Sequence, residues 1–424
     1  MTIRELSSDE IEYGKSLSDL NIRRAYVQSL AVTEFAKNKL QIINFSTGVG
    51  KSYVIYYAIR RMQNKFGTSL PYVVIVPTNK LLQDFKNLLS GFENVHIYIR
   101  NSYVKNPPFS KIRALFVDEA HGVLGENAVY FSQIINLIPC EYKCLLTATL
   151  DEAQTEFAKN LGFQHRFVLD NKTALQLKLI PSYKTYNLLL ELLPKEKLEY
   201  EKIENSYKDY ITMFSKVWEK GTAYQIACCL TDKQKAEYAA SVLNIDVGVV
   251  LGCCKRWFST MNRRKQLLYK SKAKYEALEK ILELIKFRQT LVYVSTQKEA
   301  EQIARKSHLR AAYYGNKSIK IIEEFEKERI HTLVSCNKLI EGQVTDNVEF
   351  VIRLNFTTKE RVYIQASGRA KRFDKNNPDK VGITINIIIK DSQDESWIKS
   401  QTKNERFLEW VDSIEEIVEL YEDI

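Results

Sequence analysis

No stretch of this sequence approaches the ~18 consecutive apolar residues that a membrane-spanning helix needs, and Met1–Glu10 is polar and mixed in charge, unlike an apolar leader. The expectation is a soluble, intracellular chain without a membrane partner. Cysteine is scarce and unpatterned. The seven residues, Cys140, Cys144, Cys228, Cys229, Cys253, Cys254 and Cys336, are odd in number and match neither a disulfide framework nor the two-residue spacing of zinc knuckles. Reduced thiols are expected. Glycine (15) and proline (8) are too few for a disordered or fibrous chain, while 45% hydrophobic and 27% charged residues are those of an ordinary folded protein. At 424 residues the chain exceeds the roughly 250–300 residues at which single cores stop growing, so two domains or more are expected.

Acid is the scarcer charge, 52 residues against 62 Lys and Arg, and it is unevenly placed. Residues 391–424 hold eleven acids against Lys399, Lys403 and Arg406, so the first 390 residues carry +18. Such an excess suits a polyanion, because each cation placed on a phosphate releases a condensed counterion. An inert basic surface would give the same charge.

What is present in abundance is short, fully apolar runs. Gln41-Ile42-Ile43-Asn44-Phe45, Tyr72–Val76, Ala114–Val117 and Lys143–Leu146 read as buried strands separated by helical segments, which implies a parallel sheet covered on both faces. The pattern returns at Thr290–Val294, Thr332–Cys336 and Thr384–Ile389, a second α/β domain of similar build. Residues between the two sets are rich in helix formers, Tyr, Lys and Glu. The expected organisation is an α/β domain over residues 1–170, a helical insertion and connection over 171–288, a second α/β domain over 289–390 and an acidic tail over 391–424. In the tail Phe407, Trp410, Ile414, Ile417 and Tyr421 fall at helical spacing. That helix either packs on the body or offers a face to a protein partner.

The first strand runs into Ser46-Thr47-Gly48-Val49-Gly50-Lys51-Ser52, and a helix follows, the context in which backbone N–H groups cradle a phosphate. Gly48 and Gly50 permit close approach, Lys51 would bridge the β- and γ-phosphates of ATP, and the Ser52 hydroxyl would take a Mg²⁺ site. Phe45 stands where a strict pattern begins with glycine. Asp118-Glu119-Ala120-His121 ends the third strand, so two carboxylates project at the same sheet edge: Asp118 for the metal, Glu119 for the attacking water. Thr147-Ala148-Thr149 follows the fourth strand and offers hydroxyls that could couple the nucleotide site to a domain interface, with His121 beside them. Later, Gln365-Ala366-Ser367-Gly368-Arg369-Ala370-Lys371-Arg372 puts Arg369 and Arg372 three apart on one helix face. Two guanidinium forks that do not deprotonate suit charge developing on a γ-phosphate.

The order of these four segments resembles the superfamily 2 helicases of the DEAH type, over roughly residues 20–390 apart from the middle insertion. The resemblance implies two RecA-like domains that clamp ATP and Mg²⁺, with Gln365, Arg369 and Arg372 completing the site from the second domain. It implies further that Gln28 reads the adenine, that Pro77 and Thr78 touch the nucleic-acid backbone, and that Leu339-Ile340-Glu341-Gly342 is the Glu-Gly motif, with Gly342 near the nucleotide. The form Gln-Ala-Ser-Gly-Arg is more similar to phage and repair helicases, UvsW-like and XPB-like, than to DEAH-type RNA helicases, so DNA, single-stranded, forked or branched, is favoured over RNA as the partner. An RNA helicase, or an ATPase that remodels partners without unwinding, are the alternatives. Cys336 stands where the family often has a Thr, and Val344 where an Asp is common. Finally, residues 251–274 carry eight cations and no acid, among them Arg263, Arg264 and Lys265, interleaved with Trp257, Phe258 and Tyr269. That stripe could follow phosphates and stack bases; a solvated helix with buried aromatics fits it equally.

Overall fold

The computed structural model describes the chain except residues 126–128, 316–319, 337–346, 357–359, 375–376, 378, 404, 406 and 423–424. The Glu-Gly motif with Gly342, and Val344, lie outside the described residues.

The expected strands form two sheets of seven parallel strands each. The first contains β1 (Thr2–Arg4), β2 (Leu40–Phe45), β3 (Tyr72–Val76), β4 (Val95–Ile99), β5 (Ala114–Val117), β6 (Tyr142–Thr147) and β7 (His165–Leu169), ordered β1-β7-β2-β6-β5-β3-β4. Every residue of β3 and β5 is buried, as strands covered by helices on both faces require. One face packs Phe35, Ile43, Phe116 and Phe167, and the other Ile42, Ile75, Leu145 and Phe163, each against helices. In this order β6 lies between β2 and β5, so the loops after β2, β6 and β5 leave the sheet side by side at its carboxyl edge, where open α/β sheets bind ligands.

The second sheet contains β8 (Tyr183–Leu190), β9 (Thr290–Tyr293), β10 (Arg310–Tyr313), β11 (Thr332–Ser335), β12 (Phe350–Arg353), β13 (Gly382–Ile389) and β14 (Leu408–Val411), ordered β10-β11-β9-β12-β13-β8-β14. Two of these strands come from stretches expected to be helical. β8 opens the presumed insertion and pairs with β13 along all eight of its residues. One polar pair bridges the two strands inside the sheet: Asn386 Nδ2 donates to Asn187 Oδ1 at 2.7 Å. β14 takes the front of the acidic tail, where the Phe407 carbonyl accepts from the Thr185 N–H at 2.8 Å and Trp410 pairs with Asn187. Helix resumes only at Ile414, where Ser413 accepts from the Glu416 N–H. Pairing with β8 thus overrides the helical spacing of Phe407 and Trp410. Ile414 and Ile417 pack on the second core, so that face of the short helix is covered.

Between β8 and β9 the expected helical region forms helices Pro194–Ser215, Thr222–Cys229, Lys233–Leu243, Val247–Tyr269 and Lys272–Leu284. The first and fourth run as a long pair rooted on the second domain through Leu192, Tyr200, Leu268 and Ile389. Their far ends join the two short helices around a separate core of Phe214, Ile226, Cys229, Cys254 and Trp257. The 22-residue first helix makes this arm about 33 Å long at 1.5 Å per residue. Among the described residues, no single helix is long and apolar enough to cross a membrane.

Candidate active site

The glycine loop turns at Gly48 (φ 87°) and Gly50 (φ 89°), left-handed conformations that only glycine adopts cheaply, and Gly50 caps the helix Lys51–Phe66. Phe45 does not intrude on the loop. It is the last residue of β2, wholly buried against Phe167 at 5.7 Å, and its carbonyl accepts from Lys51 Nζ at 3.4 Å. Gln28, on the helix Leu20–Asn38, is buried and donates from Nε2 to the carbonyls of Val49 (3.0 Å) and Gly50 (3.1 Å). Its amide nitrogen braces the loop. One turn earlier, Arg24 donates to the Gly48 carbonyl at 2.9 Å. Ser46 is tied by its N–H to the Leu169 carbonyl and by its hydroxyl to Asn171 Oδ1. Ser52 lies one residue into the helix, half-buried.

Asp118 and Glu119 leave β5 at the same edge. Glu119 sits at φ 49°, ψ 47°, a left-handed conformation that costs a non-glycine residue of order 1–3 kcal/mol and persists only where surroundings enforce it. The enforcing group is Arg100, which donates to the carbonyls of Asp118 (3.2 Å) and Glu119 (2.6 Å). Sequence reasoning missed Arg100, since nothing in the letters after β4 marks it as a brace. The two carboxylates are unlike. Desolvation, then the neighbouring Glu119 charge, pushes Asp118 well above the usual carboxylate range. Burial also opposes ionisation of Glu119, but His121, Lys51 and Arg100 together hold it below its ordinary value. A buried acid strained in this way is one that a cation would relieve, so Asp118 fits a divalent metal.

His121 is buried with Nδ1 3.3 Å from Glu119 Oε2 and 3.3 Å from Thr147 Oγ1. Thr147 Oγ1 donates to the Thr149 carbonyl at 2.7 Å and accepts from the Thr149 N–H at 3.2 Å. The Ala148 carbonyl is fixed by Asn44 Nδ2 at 2.9 Å. The loops after β5 and β6 are therefore bonded to each other, and the second of them to β2 through Asn44.

The arginine segment meets the glycine loop from the second domain. A methyl group on Gly368 would stand 2.5 Å from Thr47 Oγ1, and one on Gly48 would stand 2.8 Å from the Lys371 carbonyl. Only glycines permit the approach. Arg24 of the first domain also stacks on Phe373 of the second at 5.6 Å. Gln365 and Arg369 are buried and Arg372 is half-buried, with both guanidinium groups beside Tyr293. Geometry of this kind, a phosphate loop, an acid pair and cations across a cleft, can bind and split a polyphosphate.

The sequence matches the helicase conserved C-terminal domain over residues 273–374 and the res subunit of type III restriction enzymes over residues 20–107. The two matches support a superfamily 2 helicase. As a superfamily 2 enzyme it is a nucleic-acid-dependent ATP hydrolase, and its two sheets are the RecA-like domains of that group. It is similar to the DNA 3'-5' translocase XPB2 of Sulfurisphaera tokodaii, 22% identical over 392 residues that cover 87% of this chain and 82% of that protein. In structure it is similar to S. cerevisiae Dbp5 bound to RNA and ADP BeF3, with a TM-score of 0.59, 13% identity and coverage of 98% and 99% of the two chains. The Hef helicase domain of Pyrococcus furiosus gives 0.50 at 16% identity, over 88% of this chain and 97% of that one. At these identities the structures speak for the fold alone.

The expected nucleic-acid residues are dispersed. Thr78 follows β3 at the ligand edge, half-buried beside Pro77, and its hydroxyl caps the next helix by accepting from the Leu81 N–H. Arg263 is exposed and Lys265 lies over the Tyr269 ring at 5.2 Å. Arg264 is a correction: it is buried, 3.0 Å from Glu204 and bonded to Gln393, and holds the arm to the second domain rather than facing a phosphate. Lys274, from the same stripe, is sealed against Asp394 at 2.5 Å. Cys336 donates to the Ser295 carbonyl at 3.0 Å.

Proposed function

We propose that the chain is an ATP-driven motor that moves on DNA. The carrying observation is the contact of Gly368 and Lys371 with the phosphate loop, which brings both halves of the site into one cleft. In this reading Ser46–Ser52 and Gln28 hold ATP, Lys51 neutralises its terminal phosphates, and Glu119 orients and deprotonates the attacking water. Ser52 and Asp118 would hold Mg²⁺, which supplies charge neutralisation on the phosphates when bound. Gln365, Arg369 and Arg372 stabilise the charge that develops in the transition state, so closure of the cleft follows ATP binding and opening follows hydrolysis. His121, Thr147 and Thr149 transmit that cycle to the strand-binding edge.

DNA as the track is supported by the relative from Sulfurisphaera tokodaii, a DNA translocase by its description, and by the net positive charge. Translocation without strand separation fits that description as well as unwinding does. Along the arm, Lys255, Arg256, Arg263 and Lys270 are exposed, with Phe258 exposed among them, and these replace Arg264 as the cations available to phosphates.

The test is ATP turnover across matched single-stranded, forked, four-way and RNA substrates, with strand displacement measured in parallel. Stimulation by DNA over RNA is expected. Equal or greater stimulation by RNA would replace the track, and turnover without displacement would make the protein a translocase only.

A further inference from the structure

The segment after the helix Gln393–Gln401 lies outside both matched spans, yet it reaches the arginine segment. The Glu405 side chain is 6% exposed. Its Oε2 accepts from the Tyr363 hydroxyl at 2.9 Å, and Lys371 Nζ stands 3.3 Å from both carboxylate oxygens. Tyr183, the first residue of β8, stands close to Glu405 as well and lies under the Lys371 ammonium, 3.6 Å from ring centroid to Nζ. Three groups from three parts of the second domain thus converge on one carboxylate: the helix Glu360–Ser367, the turn that carries the arginines, and the strand through which the chain enters the domain.

Two features separate this cluster from an ordinary strut. First, Lys371 lies between Arg369 and Arg372, and its own carbonyl is the surface on which Gly48 of the phosphate loop packs. Second, the cluster reaches toward the first domain: Tyr183 stands near Asn171, which accepts from the hydroxyl of Ser46 at the start of that loop. Burying a Lys–Glu pair is a poor way to gain stability, since apolar side chains of similar volume usually do as well. What a buried carboxylate with three fixed partners does provide is a definite position for each of them.

We propose that Glu405 is a positioning residue for ATP hydrolysis, holding Lys371 and Tyr363 so that Arg369 and Arg372 stand correctly over the phosphate loop. The inference rests on the reading above that these arginines act on the γ-phosphate. Its side-chain partners are Tyr363 and Lys371, so Glu405 acts through the backbone of residues 369–372.

The experiment is steady-state hydrolysis by the full chain with saturating single-stranded DNA, together with affinity for a fluorescent ATP analogue and a thermal melt. Glu405→Gln keeps an acceptor for Tyr363 but removes the ion pair, and its kcat is expected to fall by about 10²-fold, the effect of misplacing a catalytic group by roughly 1 Å. The KM for ATP and the affinity for the analogue should hold within about twofold, since ground-state binding is untouched. Glu405→Asp should recover part of the loss. Tyr363→Phe deletes one hydroxyl with little risk to folding and should lower kcat in the same direction by less, which keeps the test decisive if Glu405→Gln fails to fold. Unchanged kcat in either variant, or a loss of nucleotide affinity in step with kcat, would overturn the proposal. A wild-type chain without turnover would overturn the functional reading itself and this proposal with it, whereas an active wild type and an equally active Glu405→Gln would overturn the proposal alone.

Discussion

Both sheets hold seven parallel strands, but the carboxyl edge of the first carries the glycine loop, the acid pair and Thr147, whereas the second presents its cations from the turn that follows a helix. In the first domain each loop opens directly at the end of a buried strand, and its place follows from the sheet. In the second, Arg369 and Arg372 are placed by what the turn packs against: Tyr293 of β9, Tyr183 of β8 and Glu405 of the tail. One half of the site is built by local geometry and the other by tertiary contacts. A site divided this way can be rigid where phosphate is gripped and adjustable where charge is stabilised.

The sharpest way to break that comparison is to remove groups from the rigid half. Lys51→Ala and Glu119→Gln are each expected to abolish DNA-stimulated hydrolysis while leaving circular dichroism and the thermal melt unchanged; residual turnover in either would sink the assignment. Next comes the adjustable half. Arg372→Ala should lower turnover by about 10³-fold, the order found for arginine fingers, while nucleotide binding measured directly is largely kept. Unchanged turnover would point to another cation. The smallest effects concern the arm, where neighbouring arginines should part company. Arg263→Gln, at an exposed position, should reduce the salt slope of DNA affinity by about one and leave stability alone. Arg264→Gln should lower the melting temperature and leave the slope as it was, because its partners are Glu204 and Gln393. If both changed the slope alike, the burial of Arg264 would not describe the protein in solution.

The same division decides how much could be read from the letters. The glycine loop, the acid pair and the Thr147 turn are legible because each is a short motif hung on an uninterrupted apolar strand, so residue type, spacing and position agree. β8 was hidden because Thr185 and Asn187 sit in its middle, and a polar strand is told from a helix only when its partner Asn386 is known. β14 was hidden for a different reason: four residues of edge strand are too few to outweigh the helical spacing of Phe407, Trp410 and Ile414. Arg264 and Arg263 are adjacent letters with opposite fates, settled by which side of the helix faces Tyr207 and Glu204. Arg100, Lys371 and Glu405 carried no local signal, since each matters through a partner between 18 and 34 positions away.

The arm begins directly after β8 and returns through the helix Lys272–Leu284, which packs on β13, so both of its roots belong to the second domain. It is therefore a rod anchored at the carboxyl edge of the second sheet, the edge opposite Tyr183 and the arginine turn. A turn of roughly ten degrees between the domains would sweep the end of a rod about 33 Å long through about one helical pitch. The reach of Pro194–Ser215 would thus enlarge, at the far end of the arm, any rotation between the domains.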